Sequence, residues 1–336
     1  MGRRSFLTTF RPMDLPLAFN SQLATQLFVN GLTLGSLYAL IALGYSMVYG
    51  ILKLLNFAHG DVYMVGAFIG YAILNGLGGP ISPSIAIAPL IVLMFLGAMF
   101  GSGALGVAIE RFAYRPLRDA PRIAPLISAI GVSFFLQNSV LLLLGAQFRT
   151  YNSYLLGSAH PKQFIPGPLS DAVFVVNGVN VQLVQILVLA MSLALMVALT
   201  LLVARTRIGK AMRATAFDRE AAAMMGIDVD RVVATTFFIG SFLAGAAGVM
   251  FGLLFSQVYH LMGFFAGLKG FTAAVVGGIG SIPGAMLGGV LVGLAEAFAT
   301  GYFGGRWSDL IVFAILIFVL LVRPSGLLGT RAIQKV

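Results

Sequence analysis

Two short segments carry residues that could bind or pass a polar solute. Asn56, Phe57, Ala58, His59, Gly60 and Asp61 place an amide, an imidazole and a carboxylate beside glycine, between two apolar runs. Non-helical backbone at membrane depth survives only where protein or water covers it, so this break reads as a bent element on a polar path. The same residues also read as a capped helix start, with Asp61 near the N-terminus of the next span and His59 among headgroups. The second segment, GGIGSIPGA at 277 to 285, exposes amides through Gly277, Gly278 and Gly280, and Ser281 and Gly284 flank Pro283, which must break the helix. Amides freed in this way can hold the carboxylate of a zwitterion, and a ligand-free glycine turn is the simpler alternative. Lys269 and Glu296, on either side of that break, are ionisable groups in apolar surroundings, a costly placement unless they are paired or wet. Either they pair or line a pathway, or Lys269 snorkels to an interface while Glu296 caps or bonds a neighbouring helix.

Covalent and nucleotide chemistry have no foothold. No stretch matches G-x-x-x-x-G-K-[ST], and Gly209-Lys210 lacks the preceding glycine and the following hydroxyl. No G-x-S-x-G or H-E-x-x-H occurs, and His59, His160 and His260 stand far apart on unlike segments. With zero cysteine and no clustered histidines, no metal or other cofactor is expected on the chain. The net charge of +10 sits in short segments between apolar runs and forms no basic face interleaved with stacking aromatics. Neither an enzyme nor a nucleic-acid partner is expected.

The elements that must position these groups follow from composition. With 59% hydrophobic and 10% charged residues over 336 positions, the chain holds more apolar surface than a soluble core of that length can hide. An all-α, polytopic transmembrane bundle is expected, in contact with lipid. A hydrocarbon core of about 30 Å needs roughly 20 apolar residues per helix. Spans are predicted near 27–50, 62–78, 86–110, 124–145, 182–204, 232–255 and 309–322, with a glycine- and proline-broken pair at 267–280 and 284–300. That gives eight to nine spans between an N-terminal tail at 1–26 and a C-terminal tail at 324–336. The start of the chain has Arg3, Arg4 and Arg11 but no compact apolar core with a cleavage site, so no removed signal peptide is expected.

Orientation comes from the basic loops. Arg111, Arg115, Arg118 and Arg122, the island 205–231, and the tail with Arg323, Arg331 and Lys335 are assigned to the cytoplasm. The segment 146–181, with Arg149, Pro161, Lys162, Pro166 and Pro168, then falls outside, and nine crossings put the N-terminus outside as well despite its arginines. GxxxG spacings at Gly31/Gly35, Gly66/Gly70, Gly97/Gly101, Gly248/Gly252, Gly284/Gly288 and Gly289/Gly293 predict a close-packed bundle. No internal repeat of the kind seen in inverted-repeat secondary transporters is apparent.

The island RTRIGKAMRATAFDREAAAMMGIDVDR at 205–231 carries six Lys or Arg, Arg213 among them, and four Asp or Glu. Within it Phe217 to Gly226 reads as a short helix: Asp218 at its start, Ala221, Ala222 and Ala223 propagating it, Gly226 closing it in a left-handed conformation. Too short to be stable alone, and rich in alanine and methionine, it is a docking helix for a soluble partner.

Several blocks in order resemble the bacterial branched-chain amino acid ABC transporter permeases, specifically the first of their two paired permease subunits. They are NGLTLGSLYALIALGYSMVYGI (30–51), NFAHGD (56–61), ERFAYRPLR (110–118), ISAIGVSFFLQN (127–138), FTAAVVGGIGSIPGAMLGG (271–289) and RPSGLLG (323–329). The resemblance implies a multi-pass permease in the bacterial inner membrane, which works with a second permease, two cytoplasmic subunits holding ATP and Mg, and a periplasmic protein that delivers leucine, isoleucine or valine. It implies that Glu220, Ala221, Ala222 and Gly226 form the cytoplasmic coupling loop. Permeases for urea and short amides share the architecture. Two other classes are weighed: an ion-coupled secondary transporter, which calls for midplane acidic pairs and internal symmetry, and a membrane enzyme, which would depend on His59, Asp61 or Glu296.

Overall fold

The computed structural model describes residues 21–78, 87–118, 120–121, 123–151, 173–176 and 178–329. Arg3, Arg4, Arg11, Arg122, His160, Lys162, Pro161, Pro166, Pro168, Arg331 and Lys335 lie outside them. Among the described residues the chain forms eleven helices and two minimal strand pairs. The helices are α1 (Ser21–Leu52), α2 (His59–Gly78), α3 (Ile87–Ile109), α4 (Ile123–Leu144), α5 (Leu183–Arg205), α6 (Arg207–Phe217), α7 (Arg219–Met224), α8 (Val229–Phe255), α9 (Met262–Gly277), α10 (Ile282–Phe303) and α11 (Gly305–Val322). Eight of them are long and apolar enough to cross a membrane. The ninth expected span, α9, has 16 residues, or about 24 Å of helix, short of the roughly 30 Å hydrocarbon core.

Boundaries shift where local chemistry outweighs hydropathy. α1 starts at Ser21 rather than 27, its polar first turns bonded across to a strand at Val179–Gln182: Gln26 Nε2 donates to Asn180 O and the Asn180 amide donates to Gln26 Oε1. α2 starts at His59, three residues before the expected span. α9 starts at Met262 and stops at Gly277, where Gly278, with φ of 110°, leaves the helical region. The expected tail is folded through Gly329: Leu327 N and Leu328 N donate to Val276 O and Gly277 O, and so occupy carbonyls at the end of α9.

Glycine sets the packing. α1 lies along α10 so closely that a Cβ on Gly293 would sit 2.2 Å from Gly35 Cα, and one on Gly289 would sit 2.4 Å from Ala39 Cα. Gly66 brings α2 against α8, where a Cβ on it would sit 2.6 Å from Gly245 Cα, and Gly245 in turn brings α8 against Ala98 of α3. Each of the six GxxxG pairs meets another part of this same chain, so the spacings serve intramolecular packing. α4, α5 and α11 lie on the periphery, most of their surface uncovered.

The two ends of the bundle differ. At one end are the start of α1, strands β2 (Val173–Val176) and β3 (Val179–Gln182), the pair β1 (Arg149–Thr150) with β4 (Gln257–Val258), and the end of α10. At the other are the end of α1, a π-turn at Glu110–Tyr114, α6, α7 and the α9–α10 turn. The start of α1 therefore lies on the face opposite the basic loops, called the outer face below.

Candidate functional site

The polar island holds two helices where one was expected. RIGKAMRATAF forms α6, its N-cap Thr206 accepting from Gly209 N. Asp218 then ends α6 and begins α7, its carboxylate accepting from Glu220 N and Ala221 N. Gly226 closes the turn at φ of 83°, a left-handed conformation that glycine takes without strain. Ala222 packs inward at 4% exposure, while Met224 and Met225 stand more than 80% exposed. Glu220, Ala221 and Gly226 also face outward. Arg213 turns back and donates to Val203 O at the end of α5.

Arg219 ties α7 to the bundle: its Nε and Nη2 donate to Ile51 O at 3.1 and 2.7 Å, at the last turn of α1. Nearby, Arg118 bonds both Glu110 and Asp230, and Arg115 bonds Asp230, which joins the end of α3 to the start of α8. A cavity of about 370 Å³ under these helices is lined by Lys53, Arg118 and Arg219 among others. Burial, then the charge of Arg219, lowers the Lys53 ammonium from its ordinary value; burial, then Arg118, lowers the Arg219 guanidinium. The Glu110–Arg118–Asp230 clamp was not anticipated; the acidic residues flanking the basic loops were its only sequence signal.

The first expected path segment is placed in the closed interior, and of the second Gly277, Gly278 and Gly284 are buried while Gly280 and Pro283 are exposed. Asn56, His59 and Asp61 are 1–2% exposed. The Tyr114 hydroxyl lies within bonding reach of Leu55 O and Asn56 Oδ1. His59 stacks edge-on against Tyr45, with ring centroids 4.9 Å apart. It sits beneath Gly44, eight residues from the end of α1, which is about 12 Å inside the bundle. Headgroup contact is thus replaced by a buried site, and His59 Nε2 has no hydrogen-bond partner. Asp61 accepts from Ser133 Oγ at 2.5 Å and Gln137 Nε2 at 3.1 Å, both on α4. Gly60 abuts α9: a Cβ there would lie 2.3 Å from Gly263 O. In the other break, Ser281 Oγ accepts from Gly284 N as N-cap of α10, with Pro283 in the first turn where its missing N–H is harmless. Gly277 and Gly278 pack on the backbones of Gly284 and Gly329, while Gly280 borders a small opening near Gly50.

The open space lies above this layer. A cavity of about 800 Å³ is walled by α1, α8, α9, α10 and the start of α5, with Gln26, Asn180 and Gly301 near its outer end. Lys269, Glu296 and Tyr38 line it deeper in. Lys269 Nζ bonds Glu296 Oε1 at 2.6 Å and Asp309 Oδ1 at 2.8 Å, and the Tyr38 hydroxyl donates to Glu296 Oε2 at 2.9 Å. The pairing alternative is thus the one seen, and Asp309, the missed third member, stood in the sequence as a lone acid at the head of the last apolar run. Among the described residues no group of three or more His, Cys, Asp or Glu could hold a metal.

Residues 27–320 match the family model described as branched-chain amino acid transport system / permease component. The chain is 46% identical to the high-affinity branched-chain amino acid transport system permease protein BraD of Pseudomonas aeruginosa, over 93% of this chain and 97% of that one. It is 44% identical to the corresponding protein LivH of Salmonella typhimurium and 43% identical to that of Escherichia coli K12, with the same coverage. No solved structure matches. With an exposed short helix hung from the basic end of the bundle, a cavity at the opposite end and no nucleotide motif of its own, the chain belongs to the branched-chain amino acid transport system permease family and is a multi-pass, non-enzymatic transport subunit.

Proposed function

We propose that this chain forms the translocation pathway of an ATP-driven importer for leucine, isoleucine and valine, working beside a second permease. ATP and Mg are held by two cytoplasmic partner subunits, and a periplasmic binding protein presents the amino acid at the outer face. The observation that carries this reading is α7, which turns two uncovered methionines to the cytoplasm and is hooked through Arg219 to the end of α1. Methionine side chains adapt to a partner groove, and the arginine hook passes a displacement of the groove to the longest helix. Glu220, Ala221, Ala222 and Gly226 are assigned to this contact, with Asp218 as the cap that shapes it and Arg213 as the brace of α6 on α5.

The bundle supports an alternating-access cycle. The cavity faces outward while Asn56, His59, Gly60 and Asp61, together with Gly277, Gly278 and Gly284, form the inner seal, and Gly280, Ser281 and Pro283 border that seal from the cytoplasmic side. Movement of α7 on ATP binding in the partners opens that seal. Scrambling Glu220 through Gly226 in the full transporter is expected to abolish uptake and the pulldown of the ATPase subunits; unaltered assembly and uptake would overturn the reading. Cysteines placed at Asn56 or Gly284 are expected to react with aqueous reagent only during turnover, and protection in every state would remove these segments from the path.

A further inference from the structure

Lys269, Glu296 and Asp309 do more than tie three helices together. A buried ion pair adds little stability over apolar packing of the same volume, so stability alone does not account for two opposite charges, Lys269 and Glu296, facing a cavity. The ammonium of Lys269 has three donors; two are used on Glu296 and Asp309, which leaves one. Glu296 lines the cavity and accepts from the Tyr38 hydroxyl, which lines it too, and Asp309, on α11, is the second partner of Lys269. Neutral amide and hydroxyl groups of Asn30, Thr33 and Gln185 line the wall above, and Leu34, Phe251, Leu254, Met262 and Phe265 supply apolar surface. The volume of about 800 Å³ falls within the range of small-molecule sites.

We infer that the outer cavity is a membrane-level binding site for a zwitterionic aliphatic amino acid, with its carboxylate on Lys269, its ammonium on Glu296 and its side chain against the Phe251–Phe265 wall. The proposal rests on the import reading above. The ligand splits the Lys269–Glu296 pair by offering each charge its opposite, so no buried charge is left alone at any point. Asp309 is a positioning residue: it keeps Lys269 in place while Glu296 turns to the ligand. A solute with one charge would leave one member of the pair unmatched, at a cost that disfavours it.

The chain has no cysteine, so Leu34→Cys gives its one thiol, one turn of α1 from Tyr38 on the cavity wall. The experiment uses the whole transporter in lipid nanodiscs without the binding protein and follows modification of that thiol by a water-soluble methanethiosulfonate. Millimolar L-leucine is expected to slow the reaction several-fold. The amine made by decarboxylating leucine, and the acid made by deaminating it, are each expected to protect much less. Lys269→Gln is expected to remove protection by leucine, Lys269→Arg to retain part of it and Asp309→Asn to weaken it. Equal protection by all three compounds overturns the assignment without relying on any charge variant. No protection by leucine in complexes that still import it also overturns the site and leaves the import function standing. Import of urea with no import of leucine would instead overturn the function on which the site rests.

Discussion

The outer and inner halves of the bundle use the same helices for opposite ends. In the outer half α1, α8, α9 and α10 present Leu34, Phe251, Met262 and Glu296 to an open cavity. At the inner end α9 and α10 meet glycine to backbone at Gly277 and Gly284, and α2 meets α9 in the same way at Gly60 and Gly263, with no room left for a methyl group. Large side chains prop helices apart, and their absence lets helices close. Side-chain size along shared helices therefore separates the cavity wall from the closed α9–α10 and α2–α9 contacts, while α1 and α10 stay closed beside the cavity as well, through Gly35 and Gly293.

Substitutions that fill the seal test this contrast most severely. Gly60→Val would drive side-chain carbon into the backbones of Gly263 and Gly267, and no rotamer relieves it. Overpacking alone costs about 1–3 kcal/mol, more against backbone, and the expected result is loss of assembled complex in membrane extracts. Leu254→Ala, which enlarges the outer cavity, should cost well under the roughly 2–5 kcal/mol of a fully buried truncation; equal damage from the two would break the comparison. Arg118→Ala, which leaves the fold's glycine contacts intact, strands Glu110, whose side chain is 4% exposed, and an unpaired buried charge costs about 3–5 kcal/mol; the fall is read in thermal unfolding of the complex. Asp218→Ala removes the cap of α7, about 1 kcal/mol, and is expected to lower uptake per ATP hydrolysed with assembly intact. Smallest is Arg115→Ala, because its ion pair with Asp230 is about half exposed on both sides and such pairs contribute at most about 1 kcal/mol; its melting temperature should barely move.

The helices were legible in the sequence because the constraint behind them is local: a lipid-facing backbone must bond within its own segment, and apolar length reveals where. Asp218 and Gly226 were legible for the same reason, since a cap and a left-handed closure act within one turn. The helix RIGKAMRATAF is less legible, because only Met212 is strongly apolar among the residues on its buried face, Gly209, Met212 and Thr215. The cavity was illegible. Asn30 and Gln185 meet across 155 residues, and Tyr38 and Glu296 across 258, pairings that no spacing rule reaches. Both breaks are legible as interruptions of helix, at 53–58 and 278–281, although His59, Gly60 and Asp61 belong to the first turn of α2; hydropathy alone could not tell that Gly60 packs on α9.

The bonds from Leu327 and Leu328 back to Val276 and Gly277 have a consequence for biosynthesis. α9 enters the bilayer with its last carbonyls unoccupied, and their partners are translated only after α10 and α11 have followed. The cytosolic end of α9 therefore cannot settle while the chain is being inserted. It is stitched down last, by the RPSGLLG segment, so a polypeptide stopped before Leu327 would carry every span and still leave that helix frayed.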